Sequence, residues 1–76
     1  MTLGPRNSLI YNALGVILDE VGDAAGAAAS FEKALELDPE NPAFSLNLAS
    51  AYARLGETEK SAAAMERYQQ QMAVPR

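Results

Sequence analysis

Ala34-Leu35-Glu36-Leu37-Asp38-Pro39-Glu40-Asn41-Pro42 divides the chain into two halves that match each other. Residues 34–37 read as the end of a helix, and Pro39 stops it, because proline has no N–H and its ring collides with the preceding turn. Pro42 sits where a new helix can begin. Its missing N–H costs nothing in a first turn, and Asn41 before it is a good cap.

Working upstream, Gly22-Asp23 predicts a second break: glycine takes the left-handed conformation after a helix, and aspartate caps the next one. A first helix is then predicted from a cap at Asn7 or Ser8 to about Val21, with Tyr11, Leu14, Leu18 and Val21 as its apolar stripe. A second runs from Ala24 to Leu37 with Ala24, Ala27, Phe31 and Ala34 inward. Downstream, a third opens at Pro42, turns Phe44, Leu48, Tyr52 and Leu55 inward, and ends at Gly56. The fourth covers about residues 57–72, with the stripe Ser61, Met65, Tyr68 and Met72, while Gln69, Gln70 and Gln71 make its other side polar.

An offset of 34 residues superimposes the halves. Leu14 then meets Leu48, Gly15 meets Ala49, Gly22 meets Gly56, Ala27 meets Ser61, Phe31 meets Met65 and Glu32 meets Glu66. A two-helix unit at that period, with Leu-Asp-Pro-Glu-Asn-Pro at the junction, resembles the tetratricopeptide repeat family over residues 8–72. The first unit follows the pattern closely through Tyr11, Leu14-Gly15, Gly22, Ala27, Phe31, Ala34-Leu35 and Pro39. The second drifts, with Ser61, Met65 and Tyr68 where an alanine, an aromatic and another alanine are usual. The resemblance implies an all-α fold: two tandem helix-turn-helix repeats, four antiparallel helices in a right-handed superhelical array. Residues 1–7 become a flexible lead-in, 8–41 and 42–72 the repeats, and 73–76 a tail.

Physical chemistry supplies a reason for the small residues. Helices joined by a short turn approach closely only where side chains are small, so Gly15 is expected opposite Ala27, and Ala49 opposite Ser61. Phe31 is expected to project beyond its own hairpin, to be covered by Leu48 and Tyr52.

Composition excludes much chemistry. With no Cys and no His among 76 residues, there is no thiolate, no imidazole base and no disulfide. Ser8, Ser30, Ser45, Ser50 and Ser61 have no histidine to activate them. The acidic groups at Asp19, Glu20 and Asp23, and at Glu36, Asp38 and Glu40, lack the alternation and closing Glu of an EF-hand. No phosphate-cradling glycine motif occurs. Neither an enzyme nor a cofactor or metal site is expected. A net charge of −4 disfavours nucleic acid and anionic lipid as partners. The apolar run over 9–21 is too interrupted to span a membrane and carries no leader features, so a soluble chain is expected.

Binding remains. In the family the first helix of each hairpin lines a concave groove for an extended peptide or a partner helix. The resemblance places Leu9, Asn12, Val16 and Asp19, then Ala43, Asn47, Ser50 and Arg54, along it. Asn12 and Asn47 are expected to hydrogen-bond a ligand backbone, with Leu9 and Val16 giving apolar contact. Members that grip the C-terminal carboxylate of heat-shock chaperones use a Lys-Asn-Asn-Lys-Arg set over three units. Here Asn47 alone matches and Asn12 stands at a lysine position, so that clamp is not expected. Residues 1–41 carry seven acids and two bases, and residues 42–76 three acids and four bases, a split of −5 against +1. Together with the open stripe Met65, Tyr68 and Met72, this split predicts a homodimer or higher oligomer in which the fourth helix packs on a neighbouring chain. Two alternatives stay open: a structural self-assembly unit, and a segment of a longer scaffold.

Overall fold

The structure, a computed structural model, describes residues 5–73. Four helices follow one another: α1 (Pro5–Glu20), α2 (Ala24–Leu37), α3 (Pro42–Arg54) and α4 (Thr58–Met72). Among the described residues there is no strand. Each helix packs on the next along the chain, and α1 also touches α3, whereas the backbones of α2 and α4 stay apart. Helices α1 and α3 therefore form one layer and α2 and α4 another, within a Cα envelope of 36 × 32 × 15 Å.

The breaks fall where local chemistry demands them. Gly22 and Gly56 have φ of +92° and +77°, the left-handed conformation that ends α1 and α3. Asp23 caps α2 by accepting from the Gly26 N–H at 2.9 Å. Asn41 caps α3 by accepting from the Ala43 N–H at 2.9 Å. Glu57, at the equivalent place before α4, makes no side-chain cap bond.

One apolar cluster joins the hairpins: Ala27, Ala28, Phe31, Ala34 and Leu35 of α2, Phe44, Leu48, Ala49 and Ala51 of α3, and Ala64 of α4. Tyr11, Leu18, Tyr52 and Met65 pack against it half-buried. Phe31 is covered by this cluster, as its position predicts, but it also turns back onto its own hairpin. A Cβ built on Gly15 would lie 2.4 Å from the Phe31 ring, so the ring of Phe31 is the nearest group that the small residue accommodates.

Helix α1 departs furthest from expectation. It begins at Pro5, so Asn7 and Ser8 lie inside the helix and not at its cap position. Ser8 is buried, and with Tyr11, Gly15 and Leu18 it forms the face toward the core. Leu14 and Val21, expected inward, are exposed, as is Leu55 of the third helix's expected stripe. The cause is that α1 is apolar on two sides, and the tight approach to α2 selects the side with the smaller residues. Lead-in residues 5–7 are helical; residues 1–4, and tail residues 74–76, lie outside the described part.

Gln71 is not on a solvated polar side either. It accepts from the Ser45 hydroxyl at 2.8 Å, and its amide donates to the Pro39 carbonyl at 2.7 Å. Arg67 donates to the same carbonyl at 3.0 Å. The last turn of α4 is thus tied to the joint between the repeats. Gln71→Ala removes both bonds and leaves the buried Ser45 hydroxyl without its acceptor, a cost of about 1–3 kcal/mol. Urea unfolding checks this; a midpoint equal to that of the wild type contradicts it.

Candidate interaction groove

On α1, Leu9, Asn12, Val16 and Asp19 recur at three- and four-residue spacing, which aligns them on one side of the helix. On α3, Ala43, Asn47, Ser50 and Arg54 do the same. The two rows are cross-linked twice. The Asn47 amide donates to Asn12 Oδ1 at 2.8 Å across a sequence separation of 35. Arg54 Nε lies 3.2 Å from Asp19 Oδ1 at the same separation, so α1 and α3 run parallel and in register.

The two links differ in character. Asp19 Oδ1 accepts no hydrogen bond, so its link to the largely exposed Arg54 is a charge contact, worth about 0–1 kcal/mol. The Asn pair is half-buried and directional. It consumes one donor of Asn47 and engages the Asn12 carbonyl oxygen. The Asn12 amide nitrogen and Asn47 Oδ1 make no bond among the described residues. One donor and one acceptor side by side match the alternation of C=O and N–H along an extended peptide. Leu9 and Val16 flank Asn12 with exposed apolar surface, and Ala43 and Ser50 are exposed on the α3 row.

Of the three residues expected on the self-association face, Met72 is exposed, whereas Met65 packs on the core cluster and Tyr68 is half-buried. Sequence reasoning missed the exposed Ile10 and Ile17 of α1 and Leu46 of α3. For the first two the signal was available: shifted by 34 residues they fall on Phe44 and Ala51, which face α2. A further cleft of about 350 Å³ lies between α2 and α4, with Leu35, Leu48 and Tyr52 among its lining and Glu32 opposite Lys60 and Arg67. The Tyr52 hydroxyl donates to Glu32, and Lys60 Nζ lies 5.7 Å from the centre of the Tyr52 ring. Among the described residues no three His, Cys, Asp or Glu side chains converge as a metal site requires. No described helix is long and apolar enough to cross a membrane.

The chain is similar in sequence to known proteins. The family model for the tetratricopeptide repeat matches residues 5–73. The TPR repeat-containing protein MJ1428 of Methanocaldococcus jannaschii is 43% identical over 56 residues, 74% of this chain and 10% of that protein. Protein FlbA of Caulobacter vibrioides is 37% identical over 62 residues, 82% of this chain and 10% of that protein. The chain thus spans about a tenth of the length of both relatives. No solved structure matches it. With four helices in two matching hairpins and a family model that extends across both, the chain belongs to the tetratricopeptide repeat family, whose members are in general protein–protein interaction modules.

Proposed function

We propose that the chain is a non-catalytic interaction module that binds an extended peptide or a helix of a partner protein along the α1/α3 groove, and that it self-associates through α4. Its repeats are residues 8–41 and 42–72. The observation that carries the groove reading is the Asn12–Asn47 pair, which leaves a matched donor and acceptor between the apolar contacts of Leu9 and Val16. Ser50 and Arg54 extend the same row toward the far end of α3. Met65, Tyr68 and Met72 form the self-association surface on α4, of which Met72 is the most open. The share of the two relatives that the chain spans, 10% in each case, favours a second reading in which this module is one segment of a longer scaffold.

Peptides selected from a random library against the wild type supply the test. Asn12→Ala combined with Asn47→Ala strands ligand backbone groups at about 1 kcal/mol each, so affinity is expected to fall roughly tenfold to thirtyfold. Equal affinity for both proteins, measured by fluorescence anisotropy, sinks the groove assignment.

A further inference from the structure

Besides its core-facing side, α1 carries a second apolar stripe, Ile10, Leu14 and Ile17, which Val21 continues just past the helix end, at i, i+4, i+7 and i+11. The 34-residue offset maps these onto Phe44, Leu48 and Ala51 of α3 and Leu55 just past it. The first three counterparts differ sharply in exposure: Ile10, Leu14 and Ile17 are 65%, 44% and 56% exposed, whereas Phe44, Leu48 and Ala51 are 1%, 8% and 0%. The difference is the helix alongside. α2 packs on α3, and among the described residues no helix stands in that place beside α1.

The repeat equivalent of α2 is α4. It offers Ala62 and Met65 where α2 has Ala28 and Phe31. Ala28 is buried, while Ala62 is exposed, with no helix over it among the described residues. Among the described residues, α1 thus has a bare place for an α2-like helix, and α4 presents the face of one.

We propose that α4 of a second copy seats on the Ile10–Leu14–Ile17–Val21 stripe, so that copies stack head to tail as α2 stacks on α3. This rests on the self-association proposed above and names its second surface. Charge selects this pairing over a symmetric one. Head-to-tail contact joins a half at −5 to a half at +1, whereas α1 against α1 joins two halves at −5. Glu66 and Gln69 stand where α2 has Glu32 and Leu35, so the contact is more polar than the internal one and forms only at raised concentration. Its two surfaces differ, so it does not close on itself, and stacking continues into open chains.

Two exposed positions give the test. Ile17→Glu blocks the α1 stripe, and Ala62→Glu blocks the α4 face. Circular dichroism melts confirm that each variant folds; if Ile17→Glu does not, Ile10→Glu replaces it. The expected wild-type mass by sedimentation equilibrium rises with concentration without a plateau. Each variant alone is expected to stay at 8.1 kDa, and their equimolar mixture to give a species of twice that mass and no larger. A wild type that remains monomeric up to millimolar concentration overturns self-association altogether. A wild type that associates while Ala62→Glu alone still dimerises, or while the mixture stays monomeric, overturns the head-to-tail geometry and leaves self-association standing.

Discussion

Phe44→Ala is expected to cost about 3–5 kcal/mol, which for a chain this small approaches its whole stability. Phe44 is 1% exposed and begins the run of α3 residues that meets α2. Its ring belongs to the apolar cluster that unites the hairpins. Among the described residues, Ala64 is the one α4 member of that cluster and no α1 residue belongs to it, so the two hairpins share one core. The loss therefore unfolds both repeats in one transition instead of detaching one from the other. Thermal melts followed by circular dichroism measure it. Two separate transitions, or a melting temperature within two or three degrees of the wild type, contradict the shared core.

Gly15→Ala should be the next most damaging change, although alanine favours helix over glycine by about 1 kcal/mol. The added methyl would sit 2.4, 2.7 and 2.9 Å from three atoms of the Phe31 ring, which is itself 2% exposed. Relief requires the ring to move against a packed core. The overpacking cost, about 1–3 kcal/mol, outweighs the propensity gain. The second hairpin shows the remedy, since Ala49 and Met65 occupy the equivalent places. Met is flexible and yields where a ring does not. Gly15→Ala with Phe31→Met is accordingly expected to be more stable than the sum of the two single changes, with a coupling of about 0.5–3 kcal/mol. Additive effects in a double-mutant cycle would falsify the contact.

The junctions were legible because single residues decide them. Pro39, Asn41-Pro42, Gly22-Asp23 and Gly56 act through their own backbone chemistry, and every one falls at a helix end. Rotation of a helix about its axis is a different matter. Helix α1 has apolar residues at both 11, 14, 18 and 21 and 10, 14, 17 and 21, and periodicity does not reveal that the core face is a third series, 8, 11, 15 and 18. What decides is Gly15 meeting Phe31, a contact between helices. Ser8 and Gln71 were missed for a related reason: polar residues signal burial only through their partners, and Ser45 and Pro39 are distant from Gln71 in sequence. In the groove, the two rows could be read from the repeat alignment. Their cross-links, Asn12 to Asn47 and Asp19 to Arg54, depend on how closely α1 and α3 approach.

The clasp of Gln71 and Arg67 on the Pro39 carbonyl ties the end of α4 to a loop 32 and 28 residues away in sequence. Helix ends are ordinarily the first parts of a fold to open. Here, opening the last turn of α4 also releases the Pro39 carbonyl and the Ser45 hydroxyl to water. Fraying at that helix end is therefore felt at the joint between the repeats, and amide exchange in the two places is expected to rise and fall together.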